Sequence, residues 1–164
     1  MRERVQRNPI RAVCRRPGVS FAMSQPLPTE NFRRQHEELM QLGTSILEML
    51  AQEGAAQRAG EIRRLVARFA GKLNVHARME GEALYPRLLA HDDEAVRRLA
   101  TSMVDELGGI YESFGLYAKR WPDPDSIEKD VSGFVRHTRE VMRILAKRMM
   151  RETHDLYPLV DALG

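Results

Sequence analysis

His76 and Glu80 lie four residues apart in a stretch with helical spacing, so an imidazole and a carboxylate share one face, one turn apart, and can converge on one ion. Three more groups with metal-ligating chemistry interrupt apolar stripes elsewhere: His36, Glu106 and Glu152. An ionised carboxylate buried without a partner costs on the order of several kcal/mol, so three glutamates aimed at one interior require a cation among them. Arg148, four residues before Glu152, supplies one. With both histidines neutral, three carboxylates against one guanidinium leave a charge of −2, which a divalent ion balances. Imidazole and carboxylate donors together suit iron, manganese or zinc, and a lone cysteine, Cys14, excludes a thiolate cluster.

Each group also has a plainer reading. A His/Glu pair at this spacing is common on solvated helix surfaces, His36 by itself fits a core histidine hydrogen-bonded to a glutamate, and Arg148 with Glu152 is an ordinary intrahelical ion pair. Glu106 precedes Gly108 and Gly109 and also fits a weak, hydrated stretch of helix. Tyr85 and Tyr157 read as core residues whose hydroxyls seek a carboxylate. His91, at a helix end, His137, at a stripe's edge, and His154, off the face of Glu152, are assigned to no site.

Four helical segments have to position these residues. Thr29, after Pro26 and Pro28, is placed as the N-cap of a first helix from about Glu30 to Gln52, with stripe Phe32, His36, Leu39, Gly43, Ile46 and Leu50. Gly54 breaks it. A second helix from about Gln57 to Ala90 carries Ile62, Leu65, Phe69, Leu73, His76, Glu80, Leu84 and Leu88, and Pro86 is expected to kink it or loosen its end. A third runs from about Asp93 to Lys119 with Leu99, Met103, Glu106, Ile110, Phe114 and Tyr117 inward, ending at Trp121-Pro122-Asp123-Pro124. The fourth, from about Ser126 to Asp161, begins at a capping box of Asp125 and Glu128 and buries Phe134, Val141, Leu145, Arg148, Glu152, Leu156 and Leu159. Short connections between long helices, with no strand pattern, predict an all-α, antiparallel up-down-up-down four-helix bundle.

The two halves repeat. A shift of 72 residues lays Leu73 on Leu145, His76 on Arg148, Glu80 on Glu152 and Leu84-Tyr85-Pro86 on Leu156-Tyr157-Pro158. The register therefore puts a guanidinium in the second half where the first has an imidazole.

A chain of 164 residues that is 43% hydrophobic has enough apolar side chain for one core. It contains no run of about 18 or more uncharged apolar residues, so no membrane span is expected. Its net charge of +3 suggests nucleic-acid binding until the distribution is read: residues 1–22 hold six arginines against Glu3, so the rest carries −2. Residues 1–28 accordingly read as a disordered basic tail or an over-extended start before Met23, and 29–164 as the folded domain. No nucleic-acid or membrane partner is expected, and the cysteine usage fits the cytoplasm.

Three stretches carry a family resemblance over roughly residues 30–163: Phe32-Arg33-Arg34-Gln35-His36-Glu37-Glu38-Leu39, then His76-Ala77-Arg78-Met79-Glu80 with Leu84-Tyr85-Pro86, and Glu152 with Leu156-Tyr157-Pro158. They resemble the hemerythrin-like, or HHE cation-binding, family. That resemblance implies a four-helix bundle with a non-haem di-iron centre, and roles in oxygen binding, oxygen or nitric oxide sensing, iron handling or stress response. It transfers ligand roles to His36, His76, Glu80 and Glu152. Two departures stand out: the third helix offers Glu106 where the family has a histidine, and the second His-x-x-x-Glu has become Arg148-x-x-x-Glu152.

The expectation is a metal-binding protein with one or two ions, iron first, with metal ligands His36, His76, Glu80, Glu106 and Glu152. Arg148, Tyr85 and Tyr157 surround them, and a small diatomic ligand is a candidate partner. The alternative is a metal-free regulatory or interaction bundle with a vestigial ionic core; the helix-pair pattern of the chain also resembles the regulator of sigma D, a metal-independent helical bundle. No nucleophile triad, phosphate-binding loop or nucleotide fingerprint is present, so catalysis ranks behind sensing and storage.

Overall fold

Apolar residues spaced by three and four put four long helical segments around a common interior, and the computed structural model, which describes residues 29–163, has that arrangement. The basic arm expected over residues 1–28 lies outside the described residues. The helices are α1 (Glu30–Ala51), α2 (Ala59–Met79), α3 (Tyr85–Leu89), α4 (Glu94–Arg120), α5 (Pro124–Lys129), α6 (Val131–Arg151) and α7 (Tyr157–Ala162). There is no strand among the described residues, and no helix there is long and apolar enough to cross a membrane. The α1–α2 link turns at Gly54, whose φ of 78° lies in the left-handed region that only glycine enters without strain.

Pro86 and Pro158 each stand in the first turn of a short α-helix. Each is preceded by one turn of π-helix, Glu80–Leu84 and Glu152–Leu156, in which the N–H of Tyr85 reaches the carbonyl of Glu80 and that of Tyr157 the carbonyl of Glu152. The wider ring makes room where proline lacks a donor and would crowd the turn before it. Both copies of the repeat thus start a π turn on the glutamate and end it at the tyrosine, which turns each tyrosine into the bundle.

Other expectations needed correction. Thr29 caps nothing with its side chain; its hydroxyl donates to Asp161 Oδ1 at 2.5 Å, tying the start of α1 to α7. The fourth segment does not start at an Asp125–Glu128 box. Asp123 caps α5 by accepting from Ser126 N at 2.8 Å, and the segment breaks again at Asp130, which caps α6 by accepting from Gly133 N at 2.9 Å. A Cβ at position 133 would sit 2.2 Å from Asp130 Oδ2. Gly133→Ala is therefore expected to expel that carboxylate and cost about 1 kcal/mol, seen as a melting temperature lower by about 3 °C. Asp130→Ala should cost the same, and the double variant no more than either.

In α2 the buried residue is Val66, with Leu65 half-buried. The stripe of α4 is turned by about one residue: Val96, Ala100, Met103, Val104 and Leu107 face inward, so Glu106 points to the exposed edge and Leu99 and Ile110 are half-buried. Burying Leu107 and burying Glu106 exclude each other, being about 100° apart on the helix, and the apolar side chain takes the interior.

Two apolar clusters fill the bundle. One includes Leu39, Ile46, Phe69, Leu73, Trp121, Phe134 and Leu145; the other includes Phe32, Leu84, Leu88, Val96, Met103, Leu156 and Val160. His36, His76, Glu80 and Glu152 fall in sequence between members of the two clusters, as a layer across the bundle.

Candidate metal centre

α1 delivers His36, the end of α2 delivers His76, and the π turns begin with Glu80 and Glu152. All four are no more than 4% exposed. One donor atom from each can be chosen so that all lie within 4.8 Å of one another. His36 Nε2 and His76 Nε2 face each other at 3.0 Å, His76 Nε2 lies 3.4 Å from Glu80 Oε2, and His36 Nε2 lies 3.3 Å from Glu152 Oε2.

The outer ring nitrogens are held as well. His76 Nδ1 donates to Gln35 Oε1 at 2.9 Å, and the Gln35 amide donates in turn to Met79 Sδ at 3.2 Å. This fixes the tautomer of His76 and leaves its Nε2 lone pair aimed into the cluster. His36 Nδ1 is 3.0 Å from the Thr153 hydroxyl, which can donate or accept. With His76 Nε2 the acceptor, His36 Nε2 donates across that 3.0 Å contact. A cation in that position frees both lone pairs, and the Thr153 hydroxyl can then accept from Nδ1. Gln35 and Thr153 were missed from sequence; the signal was a polar residue directly beside a ligand position, Gln35 before His36 and Thr153 after Glu152.

The tyrosines cross between the halves. Tyr85 donates to Glu152 Oε1 at 3.0 Å, and Tyr157 donates to Glu80 Oε1 at 2.7 Å. Tyr157 also stacks on His36 with ring centroids 5.3 Å apart. Arg148 donates from Nε to Glu152 Oε1 at 2.5 Å, from Nη1 to the Met103 carbonyl at 2.9 Å, and from Nη2 to the Tyr85 hydroxyl. Glu106 stays outside the cluster: Arg151 hydrogen-bonds it, and its Oε2 lies 3.8 Å from Arg148 Nη1. His91, His137 and His154 lie apart, His91 Nδ1 accepting from Asp93 N and His137 Nδ1 from Trp121 Nε1.

Burial separates the protonation behaviour of these groups. His76 is pushed down to about 4, first by desolvation and then by His36, so it is a neutral donor at ordinary pH. Glu80 is raised well above the usual carboxylate range by desolvation and then by Glu152. Glu152 meets the same desolvation, but the His36 hydrogen bond and the Arg148 charge outweigh it and hold its carboxyl below the usual value. The sign for Glu80 follows: the metal-free protein keeps that proton above pH 4.5, and a cation must displace it. Binding of a divalent ion is expected to release protons, and affinity to rise with pH above 4.5. Calorimetric titrations in two buffers of different ionisation enthalpy measure the count. His76 acts oppositely on stability: between pH 6.5 and about 4 the unfolded chain takes a proton that the folded one refuses, so its contribution to stability falls as pH drops.

Beside the cluster is a cavity of about 30 Å3, lined by His76, Glu80, Arg148 and Glu152 and by apolar side chains that include Leu73, Leu107, Leu145 and Met149. That is about the volume of one water or diatomic molecule. Arg148 and Ile110 line both this cavity and an open groove of about 480 Å3 between α4 and α6.

Two imidazoles, two carboxylates and oriented outer nitrogens form a donor set that fits a borderline divalent cation. Among known proteins, no curated protein and no solved structure matches the chain. The hemerythrin HHE cation binding domain does match, over residues 27–160, and with the buried His/Glu cluster on the same helices the chain belongs to that cation-binding family.

Proposed function

We propose that His36, His76, Glu80 and Glu152 hold non-haem iron and that the protein senses a small diatomic ligand, oxygen or nitric oxide. The supporting observation is the apolar cavity of about 30 Å3 that opens on His76, Glu80 and Glu152. It is too small for a metabolite, which needs a pocket of roughly 300 Å3 or more, and it adjoins the place an ion would take. Iron is the cation of this donor set that binds such ligands and changes oxidation state; zinc would fill the site without that chemistry. The test is to load the protein with ferrous iron without oxygen, add nitric oxide and record the visible spectrum. A saturable change at one ligand per chain is expected. Stoichiometric iron with an unchanged spectrum would remove the sensing role and keep the metal site.

A second reading, a metal-free interaction bundle, draws on the hydrogen bonds of Arg148, which already compensate Glu152 without any ion. It requires that a chelator leave the melting temperature of freshly purified protein unchanged. A drop on chelation decides for the metal.

A further inference from the structure

We infer that the centre takes a single metal ion, because the guanidinium of Arg148 stands where a second ion would have to bind. The inference rests on the metal-binding reading above and concerns how many ions that site admits.

The spread of the donors is the first argument. Metal–ligand bonds to nitrogen and oxygen are about 2.1 Å, so donors on opposite sides of one ion lie about 4.2 Å apart. Paired metals are about 3.5–4 Å from each other, so the outermost donors of such a pair lie about 8 Å apart. Four donors within 4.8 Å of one another make one coordination sphere.

The repeat shows what fills the other half. In the first half His76 faces the glutamate four residues on, and that glutamate accepts from Tyr157; in the second half Arg148 binds the glutamate four residues on, and that glutamate accepts from Tyr85. Arg148 therefore occupies the counterpart of the His76 position. It is 5% exposed, and it is held by hydrogen bonds to Glu152, Tyr85 and the carbonyl of Met103.

Glu152 cannot serve two ions in this setting. Its Oε1 already accepts from both Arg148 and Tyr85, and only Oε2 is turned toward the imidazoles. Among the described side chains of α4 none replaces it, since Met103 and Leu107 face inward and Glu106 is held at the exposed edge by Arg151. A second divalent charge beside a fixed buried guanidinium would also lack a carboxylate to offset it.

The experiment is to load the wild-type protein with excess ferrous iron, oxidise it, remove unbound metal, and measure iron per chain by mass spectrometry together with the electron paramagnetic resonance spectrum. One ion per chain with the signal of an isolated high-spin ferric ion is expected. Two ions per chain in a magnetically coupled, silent pair overturn the inference and leave the metal-binding reading intact. No retained iron overturns both. Arg148→His, which restores the second His-x-x-x-Glu, is expected to raise the ratio above one; a folded variant that still holds one ion overturns the role given to Arg148.

Discussion

Arg148→Met is expected to destabilise the metal-free protein by about 3–5 kcal/mol, with a melting temperature lower by roughly 10 °C. The cost does not come from lost attraction alone. Removing the guanidinium leaves Glu152, 2% exposed, without its charged partner, and takes one donor each from the Met103 carbonyl and the Tyr85 hydroxyl, all in the interior. Methionine fills much of the volume, so the change reports the polar loss more than a cavity. Denaturant unfolding in the presence of chelator measures it, and a loss below about 1 kcal/mol would mean that water reaches Glu152 and that the layer is not dry. Adding a divalent ion to the variant should recover part of the loss, because a cation can again lie beside the carboxylate.

The second large effect is on metal retention. His76→Ala is expected to lower affinity by more than about 100-fold, beyond the roughly 10- to 100-fold that follows loss of an outer hydrogen-bond partner, for which Gln35→Ala is the comparison. His76 contributes an Nε2 lone pair pre-aimed by Gln35, 3.0 Å from His36 Nε2, and no other described side chain reaches that position. The fold should survive, because the alanine removes a desolvated imidazole and leaves no buried charge newly bare. Competition titration against a chromophoric chelator gives the ratio of affinities, and circular dichroism checks the fold. Unchanged affinity in His76→Ala would place the ion elsewhere.

The parts of this site written within one helical turn were readable from sequence. His76 with Glu80 and Arg148 with Glu152 are fixed by helix geometry alone, and the Leu-Tyr-Pro repeat set the register between halves. Glu106 was misplaced because α4 is apolar around much of its circumference. A stripe through Leu99, Glu106 and Ile110 fits the spacing as well as one through Ala100, Met103 and Leu107, and only packing against α3 and α6 chooses between them. The break at Asp130 was hidden for a related reason: a carboxylate three residues before a glycine looks like any polar pair until the missing Cβ is seen to admit it. Gln35 and Thr153 were easy to pass over because neighbours at i±1 face away from a ligand on their own helix; they act on imidazoles carried by a different segment.

The crossed tyrosines bear on how fast an ion could come and go. Tyr85 belongs to the first hairpin and bonds the glutamate of the second, while Tyr157 belongs to the second and bonds the glutamate of the first. Neither hairpin can swing aside without breaking both bonds together, so the small openings that let solvent into many bundles are suppressed at this level. Exchange of a bound ion would then wait on both bonds opening at once, so loading and chelation of the folded chain are expected to be slow.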